Sequence, residues 1–259
     1  HTLIGTIGQA FISIAFTAAI LAAYSFYISS KNVRLKSDWL RLARGSFYSH
    51  GIAVIGIIIC MFIMIYNHYF EYQYVWQHSS KSLPTRYMIS CFWEGQEGSF
   101  LLWIFWNILL GLILIRITKK WEARVLTIVS TIQAFLSSML IGIYVANIKI
   151  GSSPFVLVRN LDENIGLPWT QMENYLQIVP QFMDGRGLNP LLQNYWMVIH
   201  PPILFLGFSL TMIPFCYAIS ALWKKEYSKW INQAIPWAYT CLLYTSDAAD
   251  EEDSVDLGG

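Results

Sequence analysis

Charged residues divide this chain into long apolar stretches, and their spacing limits the folds that the chain can adopt. A membrane-crossing helix needs about 20 mostly apolar residues. Five stretches between charged residues reach or approach that length, at 1–30, 45–70, 98–115, 125–148 and 187–223, and another begins after Lys229. With 55% hydrophobic residues, 13% charged residues and a mean hydropathy of +0.44, the chain is predicted to be an integral membrane protein.

The predicted fold class is an all-α polytopic helix bundle with five complete transmembrane helices, a truncated sixth and two long outer-face loops. Residues 1–240 are expected to form a single transmembrane bundle, with spans at about 3–29, 47–69, 99–116, 125–147 and 200–222 and the sixth from 231. The first stretch lacks the basic start and small-residue cleavage site of a signal peptide, which indicates a retained anchor. The chain begins with His1 rather than Met, so we expect an N-terminal truncation.

Lysine and arginine are distributed unevenly among the loops, and this predicts the orientation. Of the 17 basic residues, twelve lie in the loops after spans one, three and five, and five lie in the other loops. Because basic loops stay on the cytoplasmic side, residues 71–97 and 149–195 are expected outside the cytoplasm. Long loops in compact proteins are often functional, so we expect the site on this outer face.

The end of the chain differs in character from the rest. The sixth apolar stretch, at 231–245, gives way to SDAADEEDSVDLGG at 246–259, which is acidic, small and without periodicity. A helix that stopped within hydrocarbon would leave its last carbonyls unpaired. Residues 241–259 resemble translated sequencing-adapter read-through, so we expect a non-native or disordered tail and a native sequence that ends near Tyr239. A natural acidic tail is the alternative.

The first outer loop carries the run WEGQEG at 93–98, in which Glu94 and Glu97 stand three residues apart. In one interpretation, the two acids complement a helix N-terminus and the glycines allow a tight entry. In the other, the acids, Gln96 and the nearby tryptophans form a polar-topped aromatic surface for a flat ligand. Those tryptophans are Trp76, Trp93, Trp103 and Trp106.

The second outer loop leads into a histidine that is followed by two prolines. Asn189 is a predicted N-cap and Pro190 a predicted first helical residue of a short surface helix. Proline disfavours the α conformation in the residue before it, so His200 is expected outside the helix that Pro201 opens, at the outer lip of span five. A neutral imidazole there can bind iron or another metal. A hydrated interfacial side chain is the alternative.

Other titratable residues carry weaker signals. The remaining histidines of interest, His50, His68 and His78, have no ligand-like partner at helical spacing and are interpreted as structural. No buried Asp, Glu, Lys or Arg is expected within the spans, which argues against a proton relay or an ion pump. The four cysteines are scattered and indicate neither a disulfide framework nor a zinc site, and no feature indicates a nucleic-acid partner.

Several segments together resemble one family. FWEGQEGSFLLW at 92–103, ARVL at 123–126, SSPF at 152–155 and DGRGLNPLLQNYWMVIHPPILFLGF at 184–208 are similar to the CcmF/NrfE family, the haem lyase subunit of the multi-component (System I) cytochrome c maturation pathway. LNPLLQ followed by HPP is the most specific combination. The similarity runs to about residue 239. Members of the family are considerably longer, so the chain would correspond to roughly their N-terminal third.

The resemblance implies a multi-pass protein of the bacterial cytoplasmic (inner) membrane that helps ligate haem b to apocytochrome c on the periplasmic face. The cysteine thiols of the CxxCH segment of apocytochrome c would join the haem vinyl groups, and partners would include other cytochrome c maturation membrane proteins and a haem chaperone. His200 would be an axial ligand of haem iron, and Arg186 is a candidate for contact with a haem propionate. No residue is assigned a catalytic role, and the residues expected to shape the site are Trp93, Glu94, Gln96 and Glu97.

The family's tryptophan-rich haem platform, second outer ligand and intramembrane histidines would all lie beyond residue 239. We therefore expect this fragment alone to bind haem weakly or not at all and to lack lyase activity. Two alternatives remain open. A membrane permease or exporter subunit would have polar residues facing each other inside the bundle, with Gln9, Asn107 and Gln133 as candidates. The other is a noncatalytic membrane assembly scaffold.

Overall fold

Long apolar helices alternate with segments of short helices in the computed structural model, which describes residues 1–31, 35–146 and 148–242. The α-helices are α1 (Thr2–Lys31), α2 (Lys36–Tyr66), α3 (Gln73–His78), α4 (Thr85–Met88), α5 (Cys91–Glu94), α6 (Gln96–Ile117), α7 (Glu122–Ser138), α8 (Tyr175–Ile178) and α9 (Tyr195–Lys224). Short 3-10 helices lie at Lys119–Trp121, Val158–Asn160, Asp162–Asn164, Pro168–Gln171, Pro180–Phe182 and Pro190–Leu192.

Four helices are long and apolar enough to cross a membrane. They are α1, α2, α6 and α9, which have 30, 31, 22 and 30 residues. At a rise of about 1.5 Å per residue, even the shortest spans about 33 Å, close to the hydrocarbon thickness of a bilayer. The chain is therefore a mostly helical, multi-pass membrane protein. The sequence predicted five complete spans, one more than these four helices.

The region of the predicted fourth span contains a shorter helix and a hairpin. Helix α7 has 17 residues and ends at Ser138. Strands β1 (Ile143–Val145) and β2 (Ile148–Ile150) then pair antiparallel, with Ile143 opposite Ile150. The helix therefore differs from the predicted span at 125–147. These strands are rich in β-branched residues, which favour a pleated conformation, and apolar content alone does not separate a short strand from a helix.

The sixth apolar stretch is helical over residues 231–242, up to the last residue that the structure describes. The predicted tail at 241–259 thus begins with two helical residues. Its remainder, residues 243–259, lies outside the described residues.

The chain divides into two compact units. Unit 1 comprises His1–Ser13, Ala53–Leu101 and Ser138–Val198, and unit 2 comprises Ile14–Ile52, Leu102–Ser137 and the chain from Ile199 onward. The outer loops predicted from the basic residues belong to unit 1. The single bundle expected over residues 1–240 stays a prediction.

A chain of hydrogen bonds joins four helices inside unit 2. His50 Nδ1 donates to the Ala15 carbonyl at 2.8 Å, so His50 Nε2 is the acceptor for Gln133 Nε2 at 3.2 Å. Gln133 Nε2 also donates to the Ile104 carbonyl at 3.1 Å, and Gln133 Oε1 accepts from Asn107 Nδ2 at 3.4 Å. The partners lie on α1, α2, α6 and α7. These bonds favour the structural interpretation of His50, because both ring nitrogens are engaged.

An ion pair fastens the start of α7 to α2 in unit 2. Arg44 Nε donates to Glu122 Oε1 at 2.6 Å, and a terminal guanidinium nitrogen donates to Oε2 at 2.7 Å. The Glu122 side chain is 5% exposed and that of Arg44 is 38% exposed. A bidentate pair of this kind is geometrically specific. The carboxylate of Glu122 is almost fully shielded from water.

Glu122→Gln is expected to destabilise the protein by about 1–2 kcal/mol, because it leaves the Arg44 charge without its partner while solvent screens part of the loss. The measurement is thermal unfolding in detergent micelles, followed by a thiol-reactive dye, since the four cysteines are buried in the folded chain. Asp38→Asn is the control, because the Asp38–Arg41 pair is 63% and 80% exposed and should contribute about 0–0.5 kcal/mol. Equal effects of the two substitutions would contradict the account.

Candidate functional site

Helix α3 in unit 1 positions both outer-loop motifs. Tyr74 and His78, which stand four residues apart and so share one face of the helix, contact the WEGQEG segment at 93–98. The backbone carbonyls of Trp76 and Ser79 accept hydrogen bonds from the DGRG segment at 184–187. One short helix therefore fixes two motifs that are about 90 residues apart in the sequence.

The Tyr74 hydroxyl anchors the entry to α6. It donates to the Phe92 carbonyl at 2.7 Å and accepts from the Gly95 amide at 3.2 Å. Tyr74 is buried, and burial raises its pKa well above the ordinary value, with a smaller contribution from the charge of Glu97. The hydroxyl therefore stays protonated and keeps its role as a donor.

Two glycines make this close packing possible. A Cβ atom on Gly98 would lie 1.4 Å from the Phe92 carbonyl oxygen and 2.5 Å from the Tyr74 hydroxyl. A Cβ atom on Gly95 would lie 2.5 Å from the Tyr74 ring and 2.7 Å from His78 Nε2. Both positions must be glycine because each packs directly against Tyr74 on α3.

The two acids of the motif have different positions. Glu97 lies in the first turn of α6, where a carboxylate complements the helix N-terminus, as one interpretation of the sequence predicts. Glu94 ends α5 instead, and its Oε2 lies 3.2 Å from His78 Nδ1. Gln96 is exposed at the start of α6.

The tryptophans of the proposed aromatic surface are largely packed. Trp76 and Trp93 are 9% and 7% exposed within unit 1. In unit 2, the Trp103 ring packs against Phe205 and Phe208, with centroid distances of 6.3 and 6.0 Å. Trp76 and Trp93 thus shape their surroundings through buried rings and through their indole N–H groups.

The DGRG segment docks on the end of α3 through its backbone. The Arg186 amide donates to the Trp76 carbonyl at 2.7 Å, and the Gly187 amide donates to the Ser79 carbonyl at 3.1 Å. Asp184 Oδ1 accepts from the Lys81 amide at 2.8 Å. These bonds hold residue 186 in one place on unit 1.

The docked segment lays the Arg186 guanidinium over an aromatic ring. Its central carbon is 4.3 Å from the Trp76 ring centroid, and Trp76 is itself held by an indole hydrogen bond to the Gln181 carbonyl at 2.8 Å and by the Phe182 ring at 5.3 Å. Arg186 is exposed and, within the described ranges, pairs with no carboxylate. Its planar donors are thus oriented by stacking and open to an acidic ligand.

The segment between the DGRG motif and α9 matches its prediction in part. A short 3-10 helix does follow Asn189, with Pro190 as its first residue. Helix α9 then starts at Tyr195, and Asn194 Oδ1 accepts from the Met197 amide at 3.0 Å in the manner of an N-cap.

The prediction that His200 lies outside the helix is wrong. Helix α9 begins five residues earlier and continues through His200, Pro201 and Pro202. Proline disfavours but does not forbid α geometry in the preceding residue, and here the helix already has a capped start. Pro201 has no N–H group, so the Met197 carbonyl lacks its usual donor, and Trp93 Nε1 donates to that carbonyl instead at 2.9 Å.

The His200 imidazole is available for a ligand. The residue is half-buried in unit 2, and its ring has no hydrogen bond, ion pair or ring contact with any part of the chain that the structure describes. No group of three or more His, Cys, Asp or Glu side chains is arranged to hold a metal ion among these residues. An axial imidazole needs no such group, because haem iron is already held by the porphyrin, so the donor type fits haem.

All predicted site residues except His200 lie in unit 1, namely Trp93, Glu94, Gln96, Glu97 and Arg186. Glu94 and Arg186 contact side chains of α3, and Trp93 contacts the start of α9. His200 belongs to unit 2. Sequence reasoning missed Tyr74 and the indole bond of Trp93. A proline four residues after Met197 is the signal that could have indicated an unpaired carbonyl there.

Comparison with known proteins agrees with the motifs. The family model described as Cytochrome C assembly protein matches residues 93–245, which include both outer motifs and α9. The chain belongs to this family. Cytochrome c-type biogenesis protein CcmF of Haemophilus influenzae is 27% identical over 232 residues, which is 87% of this chain and 31% of that protein. Probable cytochrome c-type biogenesis protein NrfE of Escherichia coli is 29% identical over 164 residues, 61% of this chain and 24% of that protein.

A solved structure has the same fold. Cytochrome c Heme Lyase CcmF superposes with a TM-score of 0.71 at 21% identity, over 95% of this chain and 35% of that one. The resemblance to CcmF/NrfE that the motifs predicted is thus confirmed. The chain spans about a quarter to a third of the length of the relatives that it matches.

Gly98→Ala is expected to destabilise the chain by about 1–3 kcal/mol, because the added methyl group would overlap the fixed Phe92 carbonyl. Gly45→Ala is the matched control, since a Cβ atom there meets nothing within 4 Å and alanine is the better helix former. It should stabilise by about 0.5–1 kcal/mol. Thermal unfolding with the thiol-reactive dye measures both, and a neutral Gly98→Ala variant would contradict the packing described.

Proposed function

We propose that this chain is the N-terminal part of a haem-handling subunit in cytochrome c maturation. His200 binds haem iron as an axial ligand at the outer face of the membrane. The observation that carries the proposal is a half-buried imidazole without a partner among the described residues, at position 200 in the HPP motif of a cytochrome C assembly family member.

Arg186 supports a carboxylate-bearing ligand. Its guanidinium is stacked at 4.3 Å on the buried Trp76 ring, while its N–H donors remain unpaired with any acid of the described chain. A guanidinium suits a carboxylate bidentately, and haem carries two propionates. We therefore propose that Arg186 binds one propionate, while Trp76 orients it.

The substrate of this subunit is haem b. When bound, it supplies two vinyl groups, and the S–H of each thiol of the apocytochrome CxxCH segment adds across one vinyl double bond to give a thioether. The chain's own residues contribute binding and orientation. His200 in unit 2 binds the iron, and within unit 1 the α3 contacts hold the segment that contains Trp93, Glu94, Gln96 and Glu97.

The location and partners follow from the same proposal. The protein lies in the bacterial cytoplasmic membrane, with unit 1 loops in the periplasm, as the distribution of basic residues supports. Its partners are apocytochrome c, a haem chaperone and other membrane proteins of cytochrome c maturation. The finer topology of five spans and a sixth is part of this proposal, with α7 as the short span.

The permease alternative predicted polar residues that face each other in the bundle. His50, Gln133 and Asn107 do so in unit 2. Their donors, however, bond to one another and to backbone carbonyls, which is the arrangement of an interhelical contact. This favours a scaffold role for the helices. Substitution of His200 distinguishes a noncatalytic scaffold, which would tolerate it, from a lyase subunit, which would not.

Substitution of the histidine that aligns with His200 by alanine, in a full-length CcmF relative, is expected to abolish cytochrome c maturation together with the absorption band of outer-face haem. The reason is loss of the iron ligand. The control is Asn at the position that corresponds to His68, since His68 has a φ of 54° that asparagine tolerates. Normal maturation in the alanine variant would favour the scaffold.

The purified 259-residue chain is expected to bind hemin weakly or not at all and to form no thioether bonds with an apocytochrome peptide, because it corresponds to about a third of the length of CcmF relatives. Titration of the chain in detergent with hemin, followed by the Soret band, checks this. Tight one-to-one binding would contradict it.

A further inference from the structure

We propose that Trp93 is a positioning residue for His200. Its indole N–H replaces the backbone hydrogen bond that Pro201 removes from the first turns of α9, and so holds the helical geometry in which His200 is presented. The functional part of this inference rests on the haem-binding role proposed above, whereas the hydrogen bond itself is independent of that role.

The indole hydrogen bond compensates for a backbone donor that is missing from α9. In an α-helix, the carbonyl of residue i accepts from the amide of residue i+4, so the Met197 carbonyl should accept from residue 201. That residue is proline and has no amide proton. Trp93 Nε1 lies 2.9 Å from the Met197 carbonyl oxygen, at hydrogen-bond distance.

The donor is held rigidly at its own end. Trp93 is 7% exposed, and its backbone carbonyl accepts from the Ser99 hydroxyl at 2.7 Å. The preceding carbonyl, that of Phe92, accepts from Tyr74. The indole therefore reaches α9 from helix α5, whose end is fixed to α3 and to the start of α6.

The acceptor is placed where it affects His200. Met197 is three residues before His200, less than one turn of the same helix, and its amide is capped by Asn194. Pro201 disfavours the α conformation of His200. Because both the amide and the carbonyl of Met197 are hydrogen-bonded, this residue holds the turn in α geometry. Loss of the indole donor would leave a half-buried carbonyl unpaired and loosen the turn.

The first test is amide hydrogen exchange in this chain, in detergent micelles. Trp93→Phe is expected to speed exchange of the Ile199 and His200 amides about tenfold, as expected from leaving a carbonyl unpaired. Pro201→Ala restores a backbone donor to Met197, so in that background Trp93→Phe should change the exchange by less than about twofold. Trp103→Phe is the matched control, because the Trp103 indole has no partner among the described residues.

An equal effect of Trp93→Phe in both backgrounds, or no effect in either, would overturn the proposed hydrogen bond. Pro201→Ala alone is measured by the same method, and thermal unfolding with the thiol-reactive dye establishes that each variant is folded. If Trp93→Phe alone fails to fold while the double variant folds, that rescue supports the proposal.

The second test asks whether the bond positions the ligand. In a full-length CcmF relative, the equivalent of Trp93→Phe should shift the absorption and EPR spectra of outer-face haem, and the equivalent of Pro201→Ala added to it should restore them. Unchanged spectra in the single variant would overturn the positioning role. If instead the His200 variant keeps normal haem spectra, the proposed function fails, while the exchange result for Trp93 stands.

Discussion

Backbone hydrogen bonding is the constraint on which this structure depends. Helices in an apolar setting must pair their amides and carbonyls internally, because no water is present to do so. Helix α9 breaks this rule where Pro201 withholds an amide from Met197, and a side chain from a distant loop supplies the missing donor. The same contact therefore repairs the helix and ties the WEGQEG loop to the helix that carries His200.

Helix α3 is the second element of this arrangement. It is only six residues long, yet its Tyr74 and His78 side chains contact the WEGQEG loop, and the Trp76 and Ser79 carbonyls receive the DGRG segment. Both motifs are built around close backbone approaches, which explains why glycines are required beside Tyr74. Arg186 and the indole of Trp93 are thus held by one small framework within unit 1.

The sequence predicted the long helices well, because the spacing of charged residues reflects the thickness of the bilayer directly. One of the two interpretations of the WEGQEG run placed Glu97 at a helix start, where the structure has it, and a short helix follows Asn189 as predicted. Strand β1 at 143–145 was missed because its residues are as apolar as those of a helix. His200 was misplaced because proline disfavours but does not forbid α geometry in the residue before it, and the helix already starts at Tyr195 with Asn194 as its cap.

The central claim is that His200 binds haem iron at the outer face. An electron cryo-microscopy map of a haem-loaded, full-length CcmF relative tests it most directly. The account predicts continuous density from the haem iron to the imidazole that aligns with His200, on a helix that is unbroken through both prolines. Outer-face haem held by other residues, with this imidazole bonded elsewhere, would contradict the account.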